Sequence, residues 1–352
     1  MILSLARRTA APLLVCTSLA AAPVLAAPPA DAVVQRQGED RLLVTWKSAG
    51  PVDVLVADRA DALPKAARLV SARDGDGSAT VTDGARRTFV ILRNARTGEI
   101  TRVAERVLPL EAGSNFRDIG GYPAAGGKHV RWGLIYRSGA TPMLTERDRA
   151  RIAALGLASM VDLRSDEERQ LAPSRIDGVP YTAVGYSMGT MGVGGGGINE
   201  VYARMPATFA PQVRQVFARL LRREVPLVYN CSAGQDRTGF TTALVLSALG
   251  TPYATIVQDY HLSTKYRRPE YEMPKIDPAL YPGNTAAALF GRMQSDPRYA
   301  KPNPLQTAEG KPYLDFAFAE LQRRWGGVNG YLEHEIGLTP KDIARLRELY
   351  TQ

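Results

Sequence analysis

The segment Pro226-Leu-Val-Tyr-Asn-Cys231-Ser-Ala-Gly-Gln-Asp-Arg237-Thr-Gly239 constrains this chain more than any other. An apolar strand runs into a tight turn, and Thr238 to Leu249 then reads as a helix that stops at Gly250. Such a turn aims backbone N–H groups and the positive end of a helix at one point, a seat for a phosphate dianion. Cys231 opens the turn, and Arg237, five residues on, can close over two phosphoryl oxygens with its planar fork. Nucleophile, cradle and clamp in one loop point to a cysteine-dependent phosphatase. A buried structural cysteine beside a surface arginine is the bland reading. It leaves Gly234 and the strand-to-helix context without a purpose.

The cysteine count sharpens this. Residues 1–26 carry Arg7 and Arg8, an Ala/Leu-rich stretch and a small-residue site at Val24-Leu-Ala26, the pattern of a secretory signal peptide. It is too short and too proline-broken for a membrane span. Val15 before Cys16 disfavours a lipoprotein anchor. Cleavage removes Cys16 and leaves Cys231 alone, so the exported chain, periplasmic or secreted, has no internal disulfide and keeps its thiol for chemistry. Loss of Arg7 and Arg8 lowers the net charge from +9 to about +7, a surface that steers anions but decides little by itself.

Two textures divide the rest. Residues 27–35 are Pro/Ala-rich and read as a flexible lead-in. From Arg41 to Leu110, short alternating strands are predicted at 42–46, 52–56, 80–82, 88–92 and 99–104, with Gly/Asp turns such as 73–78 between them. That pattern, with Trp46 on an early strand, predicts a small all-β sandwich over 27–110, fibronectin III or immunoglobulin-like in layout. From 111 to 352 strands alternate with helices, an α/β pattern that predicts a central, mostly parallel sheet flanked by helices. Helices are predicted from the Thr145 cap to Leu155, over 207–222, and from a Thr251 N-cap with Pro252 at the first position through Ser263. A buried strand is predicted over 158–164. Gly185 to Gly197 is glycine-rich and serves either as a lid or as an idle loop.

Several separated motifs occur in a familiar order: Asn115-Phe-Arg-Asp-Ile-Gly-Gly-Tyr122, Val130 to Ala140, Val161-Asp-Leu-Arg-Ser165 and Cys231 to Gly239. Asp259-Tyr260 with Ser263 and Gly327 to Thr339 follow. Together they resemble the bacterial and fungal tyrosine phosphatases related to secreted mycobacterial and listerial enzymes. The resemblance spans about 111–352 and implies the cysteine-phosphatase fold, with hydrolysis of phosphotyrosine and, in several members, phosphoinositides. Two positions depart from the family pattern. The His before the nucleophile is Asn230, which leaves Cys231 less activated. The loop Lys is Gln235, which removes charge associated with highly charged inositides and tilts the expected substrate toward phosphotyrosine or another monophosphate.

The expected roles follow. Cys231 attacks phosphorus, and a cysteinyl-phosphate is then hydrolysed. Arg237 and the loop residues Ser232, Ala233, Gly234 and Gln235 hold the equatorial oxygens. Thr238 can hydrogen-bond the sulfur. Between Gly178 and Asn230 there is no Asp, only Glu200 and Glu224. The resemblance assigns the general acid to Asp236, with a structural anchor as its other reading and Asp162 as the alternative acid. Asp162 and Arg164 are also candidate substrate contacts, and Asp118 and Arg137 read as local braces. His129, His261 and His334 lack ligand spacing, so no metal and no cofactor is implied. The arginines near the C-terminus carry no nucleic-acid motif. The expected partner is a phosphotyrosine protein or another phosphomonoester, with the oligomeric state left open. Three competitors remain. One is a phosphoinositide or inositol phosphate phosphatase, and another a non-catalytic phosphoanion-binding pseudophosphatase. The third, a sulfur-transfer or arsenate-reducing enzyme, would lack a second cysteine where arsenate reduction needs one.

Overall fold

In a computed structural model, residues 27–84, 86–191 and 197–352 are described. Residues 1–26, where a signal peptide is expected, and residues 192–196 of the glycine-rich segment read as a lid or an idle loop lie outside the described residues. The first seven strands are β1 (Ala30–Arg36), β2 (Arg41–Lys47), β3 (Val52–Ala57), β4 (Arg68–Asp74), β5 (Ser78–Thr82), β6 (Phe89–Asn94) and β7 (Ile100–Ala104). They form two antiparallel sheets, β1-β2-β5 and β4-β3-β6-β7. Along β2 only alternate residues, Leu42, Val44 and Trp46, are buried, as period-two patterning requires. They meet Val54, Val56, Val90 and Leu92 of the other sheet in one apolar core. The lead-in expectation fails at Ala30–Arg36, which pairs along β2 as an edge strand.

A mixed α/β arrangement follows: β8 (Arg117–Asp118), β9 (Ile135–Ser138), α1 (Glu146–Ala153), β10 (Ser159–Asp162), α2 (Asp166–Leu171), β11 (Tyr181–Ala183), α3 (Ile198–Thr208), α4 (Ala210–Leu221) and β12 (Leu227–Asn230). Six helices close the chain: α5 (Asp236–Leu249), α6 (Tyr253–Tyr266), α7 (Thr285–Ser295), α8 (Leu314–Trp325), α9 (Val328–His334) and α10 (Pro340–Tyr350). The five strands order as β11-β10-β12-β9-β8, with β8 antiparallel to β9 and the other neighbours parallel. Ile135, Val161, Leu227 and Tyr229 enter the core beneath α3, α4 and α5, whereas Tyr136, Met160 and Val228 pack on the other face with Ile152 of α1. Both faces are therefore covered.

Local chemistry sets the helix starts. Thr145 with Asp148, Ser165 with Glu168 and Thr339 with Asp342 each form a reciprocal capping box. The helix expected over 207–222 is present as α4, which starts at Ala210 with Pro211 in its first turn, while Ala207 and Thr208 end a separate helix, α3, that the sequence did not lead us to expect. The cap expected at Thr251 falls on Pro252, in an extended conformation, with the helix starting at Tyr253. In register, Asp162 lies beside Asn230 and Asn230 beside Ser138. The strands thus end together, and the loops that follow them converge on one edge of the sheet. Open α/β sheets bind ligands at that edge.

Trp132 joins the two regions. It lies in the β1–β7 core and donates from Nε1 to the Arg102 carbonyl at 3.0 Å. Arg87 donates to Asp118 Oδ2 at 2.5 Å and to the Tyr136 hydroxyl at 2.7 Å. Arg106 donates to the carbonyls of Asp118 and Gly120 and stacks on Tyr122.

Candidate active site

Cys231 follows β12 directly, is 2% exposed and is a free thiol. The loop after it doubles back tightly enough that a Cβ on Gly234 would lie 2.5 Å from Gly139 N and Ser138 C, and Gly234 has φ +64°. Only glycine meets both demands. The loop carbonyls are engaged from outside. The Ser232 carbonyl accepts from Ala140 N at 2.8 Å, and that of Ala233 from Asn115 Nδ2 at 3.1 Å. The Gly234 carbonyl accepts from Asn115 Nδ2 and Arg137 Nη2, both at 2.8 Å. A trans peptide points its N–H opposite to its C=O, so the amides of Ala233, Gly234 and Gln235 turn to the inner side of the loop. Convergent backbone amides of this kind are the geometry with which loops bind anions.

Its outer supports are anchored in turn. Asp259 of α6 accepts from Arg137 at 2.5 Å, from Arg117 at 3.1 Å and from the Tyr122 hydroxyl at 2.9 Å. Arg117 also donates to Asn115 Oδ1, and both arginines reach Ser263 Oγ. Burial pushes the Asp259 carboxyl up, but the two guanidinium charges outweigh it and hold it well below the ordinary carboxylate range. Burial and the like charge of Arg137 bring Arg117 down to about 10. Two buried cations share one carboxylate.

Arg237 lies at the second position of α5 and is held by a residue that sequence reasoning missed, Glu168. Nη1 donates to Glu168 Oε2 and Nη2 to Oε1, each at 2.6 Å, and Nη1 also reaches the Tyr186 hydroxyl at 2.6 Å. Glu168 Oε1 further accepts from Ser232 Oγ at 2.6 Å, and Oε2 from Ser165 N at 2.9 Å. Burial raises the Glu168 carboxyl, yet the charge and hydrogen bonds of Arg237 prevail and hold it down at about 2. Glu168 occupies the Nη1–Nη2 edge, so the Nε–Nη2 edge of the guanidinium keeps a parallel pair of N–H donors for two oxygens. In the sequence, Ser165-x-x-Glu168 signals only a helix start. The described part of the glycine-rich segment is ordered by contacts: Tyr186 binds Arg237, Ser187 donates to Glu167, and Met188–Met191 forms a 3-10 turn.

Asp236 opens α5. Its Oδ1 accepts from the Tyr202 hydroxyl at 2.5 Å and from Gln235 Nε2 at 3.4 Å. Thr238 Oγ1 is buried and has no hydrogen-bond partner among the described residues. At the two departures from the family pattern, Asn230 is fully buried with Nδ2 on the Cys231 carbonyl at 3.3 Å, and Gln235 Oε1 accepts from Arg267 at 2.8 Å. A guanidinium, itself paired with Glu272, thus stands beside position 235. Asp162 and Arg164 are both fully buried and pair with each other at 2.7 Å; Asp162 also accepts from Tyr181, and Arg164 donates to the Ala172 carbonyl. Asp118 accepts from Arg87 and from the amides of Gly120 and Gly133.

Comparison with known proteins adds an independent line. A Cupriavidus necator protein named as a putative tyrosine-protein phosphatase is 29% identical over 255 residues, covering 67% of this chain and 85% of its own length. A tyrosine-protein phosphatase of Nostoc commune is 29% identical over 216 residues, 58% of this chain and 69% of its own. The triple specificity protein phosphatase PtpB of Mycobacterium tuberculosis is 26% identical over 276 residues, 66% and 95% respectively. A family model described as the tyrosine phosphatase family matches residues 108–352, the span that contains Cys231, Arg237 and Asp236, and the chain belongs to that family.

Proposed function

We propose that the chain hydrolyses phosphomonoesters, phosphotyrosine in protein first among them, through a cysteinyl-phosphate on Cys231. The observation that carries this reading is the Glu168-held Arg237, whose Nε–Nη2 edge is left for substrate in a loop whose carbonyls are bound from outside. Cys231 Sγ attacks phosphorus while the bond to the leaving oxygen breaks, and Asp236 gives that oxygen its proton. Water then attacks phosphorus, Asp236 takes its proton and the P–S bond breaks, with Thr238 Oγ1 donating to the departing sulfur. The inward amides and Arg237 stabilise the equatorial oxygens in both steps. Asp162 and Arg164 serve here as a buried brace under the loop between β10 and α2, in place of substrate contact.

The same reading makes 111–352 a cysteine-phosphatase domain on a mostly parallel sheet, and 27–110 a fibronectin III or immunoglobulin-like sandwich. It also makes 1–26 an export leader. N-terminal sequencing of the protein from an expressing cell should then begin near Ala27, and an intact Met1 start would rule export by cleavage out. A second substrate class is phosphoinositides or inositol phosphates: a mycobacterial relative carries the name triple specificity protein phosphatase, and Arg267, although paired with Glu272, sets a guanidinium beside position 235 where the family Lys is missing.

The deciding experiment measures phosphate release by residues 27–352 from a phosphotyrosine peptide, a phosphoserine peptide, phosphoinositides and inositol phosphates. Turnover of phosphotyrosine is expected, and its loss by at least about 10³-fold in Cys231→Ser. Phosphopeptide binding without turnover would instead establish the non-catalytic module.

A further inference from the structure

We infer that Tyr202 is a positioning residue for Asp236, fixing which carboxyl oxygen carries the transferable proton. The inference rests on the assignment of Asp236 as general acid and deepens it. Tyr202 lies on α3, 34 residues before Asp236 in sequence, and is fully buried. Its hydroxyl donates to Asp236 Oδ1 at 2.5 Å, while its oxygen accepts from the Tyr260 hydroxyl at 2.6 Å. The donors therefore run one way, from Tyr260 of α6 to Tyr202 to Asp236. Tyr202 is held by an edge-to-face contact with the Tyr260 ring, 6.3 Å between centroids, and by Tyr313 at 5.8 Å.

Burial, with the adjacent Asp236 charge, holds the Tyr202 hydroxyl well above the ordinary phenol range, so it stays a donor. An oxygen that already accepts an O–H bond, and a second from Gln235, is a poor seat for a proton. When Asp236 is protonated, the proton sits on Oδ2. Oδ2 is thereby the atom that gives a proton to the leaving oxygen and later takes one from water. Without Tyr202 the carboxyl turns about its terminal torsion, which is broad for aspartate, and the proton divides between two oxygens. Sequence reasoning had no access to this, since Tyr202 falls in no predicted element and lies 34 residues from Asp236.

The test is kcat/KM for aryl phosphates whose leaving phenols range from strongly acidic, as in dinitrophenyl phosphate, to tyrosine-like. General acid catalysis matters only where the leaving oxygen is basic. Tyr202→Phe should lose about tenfold on phenyl or tyrosyl phosphate and less than about twofold on the dinitrophenyl ester. Tyr260→Phe, which keeps Tyr202 and removes its donor, should show the same discrimination at smaller size, and it serves if Tyr202→Phe does not fold. A uniform loss across the series, in whichever of the two folds, would mean that the tyrosines only support packing and would overturn the inference. Asp236→Asn separates the two levels. If it discriminates by leaving group while the tyrosine variants do not, the positioning role alone fails. If Asp236→Asn does not discriminate either, the acid assignment fails with it.

Discussion

Glu168→Gln is expected to lower kcat by about 10²–10³, the scale for loss of one preorganised oxyanion donor, although Glu168 itself is expected to touch no substrate. Each Glu168 oxygen now accepts from two donors: Arg237 and Ser232 on one, Arg237 and Ser165 on the other. A glutamine amide presents N–H where one of those oxygens stood. Neither flip of the amide satisfies the surrounding donors, so the Arg237 fork is released. Steady-state kinetics on an aryl phosphate, beside Arg237→Lys, would check this. A kcat within about threefold of the parent chain would refute the clamp.

The same carboxylate gives a pH signature. Its folded value, about 2, lies below the unfolded 4.5, so its contribution to stability is complete above about 4.5 and is lost as pH falls toward 2. That contribution is on the order of 3 kcal/mol, since each tenfold change in proton affinity corresponds to about 1.4 kcal/mol. Urea unfolding at steps from pH 5 to pH 3 should show a steeper decline in the parent chain than in Glu168→Gln. Parallel curves would remove Glu168 as a source of acid lability.

What the sequence reveals, and what it hides, divides by distance along the chain. The strand, turn and helix around Cys231 are local, and so are β2, β3 and β6, whose alternation or apolar runs survive folding unchanged. The supports of the loop are not local. Arg117 and Asp259 are 142 residues apart, and Asn115 and Gly234 are 119 apart. No periodicity or spacing rule joins such pairs. Glu168 was concealed differently, because its reciprocal bond with Ser165 produces a familiar helix-start signature that fully explains an acidic residue there. Ala30–Arg36 was concealed by composition: Pro and Ala precede it, and its pairing partner β2 decides its conformation. α3 was concealed because Pro206, ordinarily a helix breaker, lies inside it, and a glycine-rich stretch directly precedes it in the sequence.

Asp259→Asn should produce the largest stability loss of any single change around the loop, about 3–5 kcal/mol, a substantial fraction of the margin of an ordinary domain. The physical reason is the count of charges. Arg117 and Arg137 are both fully buried, and Asp259 is the carboxylate that pairs with each of them. Asparagine keeps the shape but leaves two like charges without a counterion in a region of low polarisability, which costs far more than an exposed pair would. A shift in the urea midpoint at constant slope would measure the effect. Adding Arg117→Met to Asp259→Asn should recover part of the loss, because it removes one of the two stranded cations, and the deviation from additivity reports their coupling. The loop should suffer as well: Arg137 holds the Gly234 carbonyl from outside, so the surviving folded fraction should turn over more slowly than the parent. A change below about 1 kcal/mol would mean that solvent reaches the arginines, and the site would then owe its rigidity to Asn115 and the backbone alone.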